Sequence, residues 1–237
     1  MSVGDNRVVM ISGANRGIGR AVAEHLYARG YQLSLGARNP GLLAQVFAGC
    51  ESERVAFHRY DAEDKSTHQA WVDATVAQFG RVDGLVNNAG IALSVDLEDD
   101  NEADLDRLWS VNVKAPLSMT RKCVPHLRRT GRGRVINIAS VAGNVVFGSG
   151  VGYSMSKFAL VAISHATRQA AWDDGVRCTA VCPGYVATDM TSEVESTTQD
   201  LMIKPSDIAA LVATAMELSN NASVAELIVN CRPDPTM

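Results

Sequence analysis

Aromatic residues make up only 5% of the chain, and five cysteines are its whole stock of thiols. Five is an odd number, and Cys50, Cys123, Cys178, Cys182 and Cys231 are spaced for neither a disulfide framework nor a zinc site. They read as buried thiols of a reducing compartment, and no metal is expected. No apolar run approaches the roughly 20 residues that span a bilayer. The first ten residues, MSVGDNRVVM, lack a charged-then-apolar leader, so the expectation is a cytoplasmic chain without membrane contact. Positive charge is scarce too: 22 Lys and Arg against 26 Asp and Glu give a formal net charge of −4. That leaves no broad positive field for nucleic acid. The one basic run, LRRTGRGR from Leu127 to Arg134, reads as a solvated helix end and turn.

What the chain does have is aliphatic residues: 46% of its 237 residues are hydrophobic, most of them small. This is the composition of a buried parallel sheet, at a length that suits one domain. Short apolar runs alternate with longer segments of helical period. The pattern predicts strands at 7–12, 31–36, 55–60, 83–87, 134–139, 177–181 and 225–229. Helices are expected at 17–29, 42–48, 65–79, 102–129, 151–173 and 205–218. Such alternation implies parallel strands joined by crossover helices, hence an α/β doubly wound parallel sheet of about seven strands with helices on both faces. No linker or repeat divides residues 1–237, which read as a single Rossmann-type domain.

Three stretches carry chemistry. ISGANRGIGRAV follows the first strand and opens the first helix, with Gly13, Gly17 and Gly19 in a G-x-x-x-G-x-G spacing. Glycines at such a point permit a tight turn, let the backbone approach a pyrophosphate and let the helix pack close to the strand. The helix N-terminus then offers free N–H groups to phosphates. NNAG, Asn87 to Gly90, ends the fourth strand. In GYSMSKFAL, Tyr153 and Lys157 stand four apart on one helical face; taken alone, the pair reads equally as a partly exposed helix surface.

With SGANRGIG, NNAG and YSMSK in that order, the sequence resembles the short-chain dehydrogenase/reductase family, in its short, non-extended branch, from Arg7 to about Val229. The resemblance implies a catalytic group of Asn112, Ser140, Tyr153 and Lys157, and all four positions are filled. A phenol that titrates near ~10 is a poor proton shuttle at neutral pH; an ammonium and a positive nicotinamide ring beside it stabilise the phenolate. Tyr153 would then act as general acid/base on a carbonyl/alcohol pair, while Lys157 also holds the nicotinamide ribose. Ser140 would orient the substrate oxygen, and Asn112 would hold a water linking Lys157 to solvent.

The family also implies a nicotinamide cofactor held by Gly13, Asn15, Arg16, Gly17, Ile18 and Gly19 of the glycine turn, and by Asn87, Ala89 and Gly90. After the sixth strand, Pro183, Val186 and Thr188 would contact the nicotinamide end. Asp61 would contact the adenine, or cap the helix that follows. Around the substrate the expected side chains are Asn144, Val145, Val146, Phe147, Tyr185 and Met190, under a lid from Met190 to Ile203. These are mostly apolar, with no Arg or Lys placed for an anion, so a small to medium uncharged carbonyl or alcohol is expected. Relatives often carry a glycine pair after the last strand; here the tail reads LIVNCRPDPTM, a departure at the C-terminal wall of the pocket.

The second strand ends SLGARNP, with Arg38 where enzymes preferring NAD place an acid. Arg38 and Arg16 would accommodate a 2′-phosphate, which predicts NADP(H) over NAD(H); either arginine alone also reads as a solvated turn residue. The expected partner is a small molecule, with no nucleic acid or membrane, and a homodimer or homotetramer is implied by the family. The alternative function is a catalytically silent NADP(H)-sensing regulator or scaffold.

Overall fold

A computed structural model describes residues 6–233. Seven parallel strands form one sheet: β1 Val8–Ser12, β2 Gln32–Ala37, β3 Val55–Arg59, β4 Gly84–Asn87, β5 Arg134–Ile138, β6 Arg177–Pro183 and β7 Glu226–Val229. Their order is β3-β2-β1-β4-β5-β6-β7. The helices are α1 Gly17–Ala28, α2 Pro40–Val46, α3 Lys65–Phe79, α4 Glu102–Trp109, α5 Ala115–Arg129, α6 Val151–Ala170 and α7 Pro205–Glu217. The chain builds outward from β1 to β3, then returns to lay β4 on the other side of β1. That reversal opens a crevice at the carboxyl ends of β1 and β4, where doubly wound sheets bind ligands.

Successive strand residues point to opposite faces, and the core divides accordingly. Val9 and Ile11 of β1, with Val86 and Ile136, pack under α1 and α7 through Val22, Leu26, Ile208 and Val212. Met10, Leu85 and Val135 pack instead against Trp71 and Val72 of α3 and Met119, Cys123 and Leu127 of α5. On the α6 side, Leu160 and Val161 cover Ala139, Ala180 and Cys182. All five cysteines are free thiols. Among the described residues no helix is long and apolar enough to cross a membrane.

Two expectations need correction. The stretch 102–129 is not one regular helix: Ser110–Lys114 forms a π turn between α4 and α5. Pro116 has no N–H to offer the carbonyl of Asn112 four residues back, and Ala115 N–H reaches instead to Ser110 O. The wider turn holds Asn112, 1% exposed, behind the cavity wall, which Val111 rather than Asn112 reaches. The basic run is not wholly solvated either, because Arg134 is 1% exposed. Its guanidinium donates to Leu218 O at 2.6 Å and Asn220 Oδ1 at 3.0 Å, satisfying a carbonyl that the end of α7 leaves open. Burial lowers its pKa to about 10.

Candidate active site

One cavity of about 920 Å³ runs along the crevice. Its floor at one end is the glycine turn. Gly13 and Gly17 take φ of +66° and +54°, the left-handed region that favours glycine. A Cβ on Gly17 would lie 3.3 Å from Thr188 Cγ2 across the crevice, and one on Gly19 would sit 2.4 Å from Gly13 O. The first change would narrow the cleft; the second would prevent α1 from seating on the turn. Asn39, Asp64 and Asn101 cap α2, α3 and α4, but no side chain caps α1. Gly17 and Ile18, which open α1 without a side-chain cap, line the cavity, and such a helix start can receive a phosphate.

Ser12, at the end of β1, ties this turn to β4. Its hydroxyl accepts from the backbone N–H of Asn88 and of Ala89, each at 3.0 Å. Asn88 Nδ2 in turn donates to Ser12 O at 2.9 Å and Gly13 O at 3.2 Å. Asn88, Ala89 and Gly90 line the cavity. Asn87 does not: strand alternation turns it into the core, where Nδ2 donates to Asn137 Oδ1 at 2.8 Å. Gly19 also stays off the wall and serves close packing instead.

At the other end stand the residues of β5 and α6. Ser140 follows β5 and caps a 3-10 turn, Val141–Gly143; its Oγ accepts from Ala142 N at 3.1 Å and donates to Pro183 O at 3.4 Å. Tyr153 lies in the first turn of α6 and Lys157 one turn later, with Nζ 5.5 Å from the centre of the tyrosine ring. Lys157 is buried, and its Nζ donates to Ile138 O at 3.1 Å. Asn112 spends both amide hydrogens on Ile91 O and Ser156 Oγ, at 2.9 and 3.0 Å, while its Oδ1 accepts from Ile91 N at 3.0 Å. It clamps the loop after NNAG and retains one lone pair on Oδ1. A Cβ at Gly90 would be 3.3 Å from Asn112 Oδ1 and 3.7 Å from Lys157 Nζ, so the two side chains flank that glycine. Beneath Ser140, burial pushes the Cys182 thiol up to about 12, which keeps it neutral.

The structure brings Gly13, Asn15, Arg16, Gly17, Ile18, Arg38, Asp61, Ala89, Gly90, Ser140, Phe147, Tyr153, Lys157, Pro183, Tyr185, Val186, Thr188 and Met190 to the cavity. Asn144 and Val145 are not on its wall. Asn144 Nδ2 donates to Glu226 Oε2 at 2.6 Å, which draws the side chain toward β7, and Glu226 also meets His165 Nε2 at 2.7 Å. Asp61 is not the cap of α3, since Asp64 accepts from Ser66 N at that position; Asp61 lies on the cavity beside Tyr60 and Ala62. Arg16 is engaged at 3.0 Å by Asp189, the residue before the expected lid, in an exposed ion pair. The stretch from Asp189 to Ile203 holds two short 3-10 turns, Asp189–Thr191 and Gln199–Leu201. Sequence reasoning missed Leu42, Arg107 and the tie made by Ser12, assigned Asn87 rather than Asn88 of NNAG to the cofactor, and placed the tail at the pocket wall without naming Asn230, Cys231 and Arg232. Among the described residues, no cluster of His, Cys, Asp and Glu is arranged for a metal.

Comparison with known proteins agrees with this geometry. The short chain dehydrogenase family model matches residues 7–199. Agropine synthesis reductase of Rhizobium rhizogenes is 47% identical over 225 residues, 94% of this chain and 52% of that protein. The chain thus spans about half the length of that relative. An uncharacterized oxidoreductase of Staphylococcus saprophyticus is 32% identical over 94% of this chain and 95% of its own length. Among solved structures, an alcohol dehydrogenase from Thermococcus sibiricus, complexed with 5-hydroxy-NADP, superposes with a TM-score of 0.87 at 28% identity, covering 96% of this chain and 99% of that one. Fold, crevice and sequence agree on one assignment: the chain belongs to the short-chain dehydrogenase/reductase family of oxidoreductases.

Proposed function

We propose that this protein transfers a hydride between NADP(H) and a carbonyl/alcohol substrate, with Tyr153 as general acid/base. The observation that carries the reading is a single cavity lined at one end by the uncapped glycine turn and at the other by Ser140, Tyr153 and Lys157. The nicotinamide supplies the hydride when bound. Tyr153 gives its phenolic proton to the substrate oxygen during reduction and takes it back during oxidation. Ser140 orients that oxygen, and Lys157, held by Ile138 O, puts a positive charge beside the phenol. Asn112 fixes the Ile91 loop against Ser156 one residue before Lys157, and so keeps that wall in register. Apolar Trp109, Met155 and Phe158, exposed on the α4–α6 side, fit a homo-oligomeric contact through these helices.

For the 2′-phosphate, Arg38 is the better placed arginine, since it lines the cavity just beyond β2. Arg16 would first have to leave Asp189, an exchange that costs little for an exposed pair. NADPH should therefore bind at least roughly tenfold more tightly than NADH, because a guanidinium–phosphate contact is charge-assisted. Arg38→Asp should reverse the order, and Arg16→Ala should reduce it. Fluorescence titration with both reduced nicotinamides checks this. A wild-type preference for NADH would overturn the NADP assignment alone, whereas binding of neither would overturn the dinucleotide reading. Lys157→Ala should weaken both cofactor binding and turnover, by about tenfold or more each, as loss of a charged hydrogen-bond donor implies; a change in melting temperature alone would make the lysine structural.

A further inference from the structure

β7 ends at Val229, opposite Pro183 of β6, and the next three residues, Asn230, Cys231 and Arg232, form cavity wall beside Gly184 and Tyr185. The Arg232 guanidinium lies 5.6 Å from the centre of the Tyr185 ring, within cation–π range. Tyr185 is itself fixed: its carbonyl accepts from Ile203 N at 3.0 Å, and Val186 bridges to Ile203. The backbone that carries the ring is thus tied down, and the ring offers the arginine a cation–π contact. The same cavity is also lined by apolar Val141, Phe147, Met190 and Val194, and the acid beside Met190, Asp189, is paired with Arg16. The other cations that touch the cavity have their own work. Lys157 is buried against Ile138 O, Arg16 is paired with Asp189, Arg107 is paired with Glu63 at 3.3 Å, and Arg38 stands at the far end beyond β2. A guanidinium here is worth more to a carboxylate than to an uncharged group, because both partners of the hydrogen bond are then charged.

We propose that Arg232 sets substrate specificity by binding a carboxylate on the carbonyl or alcohol substrate, an inference that rests on the oxidoreductase reading above. A planar guanidinium fork matches a carboxylate in two parallel hydrogen bonds. A phosphate dianion would call for more cations than one rim arginine supplies. Arg232 is exposed, so the contact is a rim contact that salt weakens.

The test uses straight-chain oxo-carboxylates of three to seven carbons and their amides, titrated calorimetrically into the protein with and without saturating NADP⁺. The best acid should bind at least about tenfold more tightly than its own amide, with the ratio falling as salt is raised. Arg232→Gln should abolish the difference by weakening the acid and leaving the amide, the melting temperature and NADPH binding unchanged. Equal binding of acid and amide, no binding of either, or an unchanged preference in Arg232→Gln would each overturn the proposal. NADPH binding is read separately in both proteins. Its loss in the wild type would strike the dinucleotide reading, while normal NADPH binding without a carboxylate preference would strike Arg232 alone.

Discussion

Tyr153→Phe should keep the fold and bind NADPH as the wild type does, while turnover falls at least ~100-fold, the lower range of general acid–base contributions. The substitution keeps the ring that lies 5.5 Å from Lys157 Nζ and removes one oxygen and its transferable proton. Among the described residues no hydrogen bond is made to the Tyr153 hydroxyl, whereas Ser140, Lys157 and Asn112 keep their own anchors to Pro183, Ile138 and Ile91. The loss should therefore appear in kcat more than in cofactor affinity, as expected for an interaction made in the transition state. Paired steady-state kinetics and NADPH titration check it. Near-normal turnover in the variant would remove Tyr153 from the mechanism.

Trp71→Ala should cost about 3–5 kcal/mol of stability, the usual range for truncating a buried aromatic residue. Trp71 is 1% exposed, and its ring lies over Gly36 of β2 so closely that a Cβ there would be 2.8 Å away. Its indole N–H donates to Ser34 Oγ at 2.9 Å, and Ser34 shares a 2.6 Å hydrogen bond with Thr75. Truncation thus leaves a large void between α3 and β2 and a buried hydroxyl pair short of one partner. For a chain of this length the melting temperature should drop by roughly 10 °C. Urea unfolding that shows less than about 1 kcal/mol of loss would mean that the site collapses around the missing ring.

The parts of this molecule that the sequence makes legible are those whose partners are close in the chain. Gly13 and Gly17 mark a turn because the left-handed backbone there is a local demand, and Tyr153 and Lys157 face the same way because they are one helical turn apart. The parallel sheet of about seven strands follows from the alternation of strands and helices. What escaped depends on distant partners. Asn144 is turned from the cavity by Glu226, 82 residues later, and nothing near Asn144 announces it. Arg134 is buried because the carbonyl of Leu218, 84 residues away, needs a donor. The periodicity of 102–129 reads as one helix, since Leu108, Asn112, Ala115, Met119, Cys123 and Leu127 are buried at steps of three and four on both sides of the π turn. The exchange of Asn87 for Asn88 is a matter of strand phase: a one-residue shift moves a side chain from core to crevice. Arg232 lies in a tail that departs from the family pattern, so its place on the wall becomes visible only when β7 is seen beside β6.

The most direct measurement is the absorbance of reduced nicotinamide, followed with NADPH and a panel of carbonyl compounds that includes the oxo-carboxylates, in the wild type and in Tyr153→Phe. Hydride transfer by this cavity predicts NADPH consumption with at least one carbonyl in the wild type, and a rate at least ~100-fold lower in the variant. Tight NADPH binding without consumption by any carbonyl, or equal rates in the two proteins, would contradict the account and favour a cofactor-sensing role.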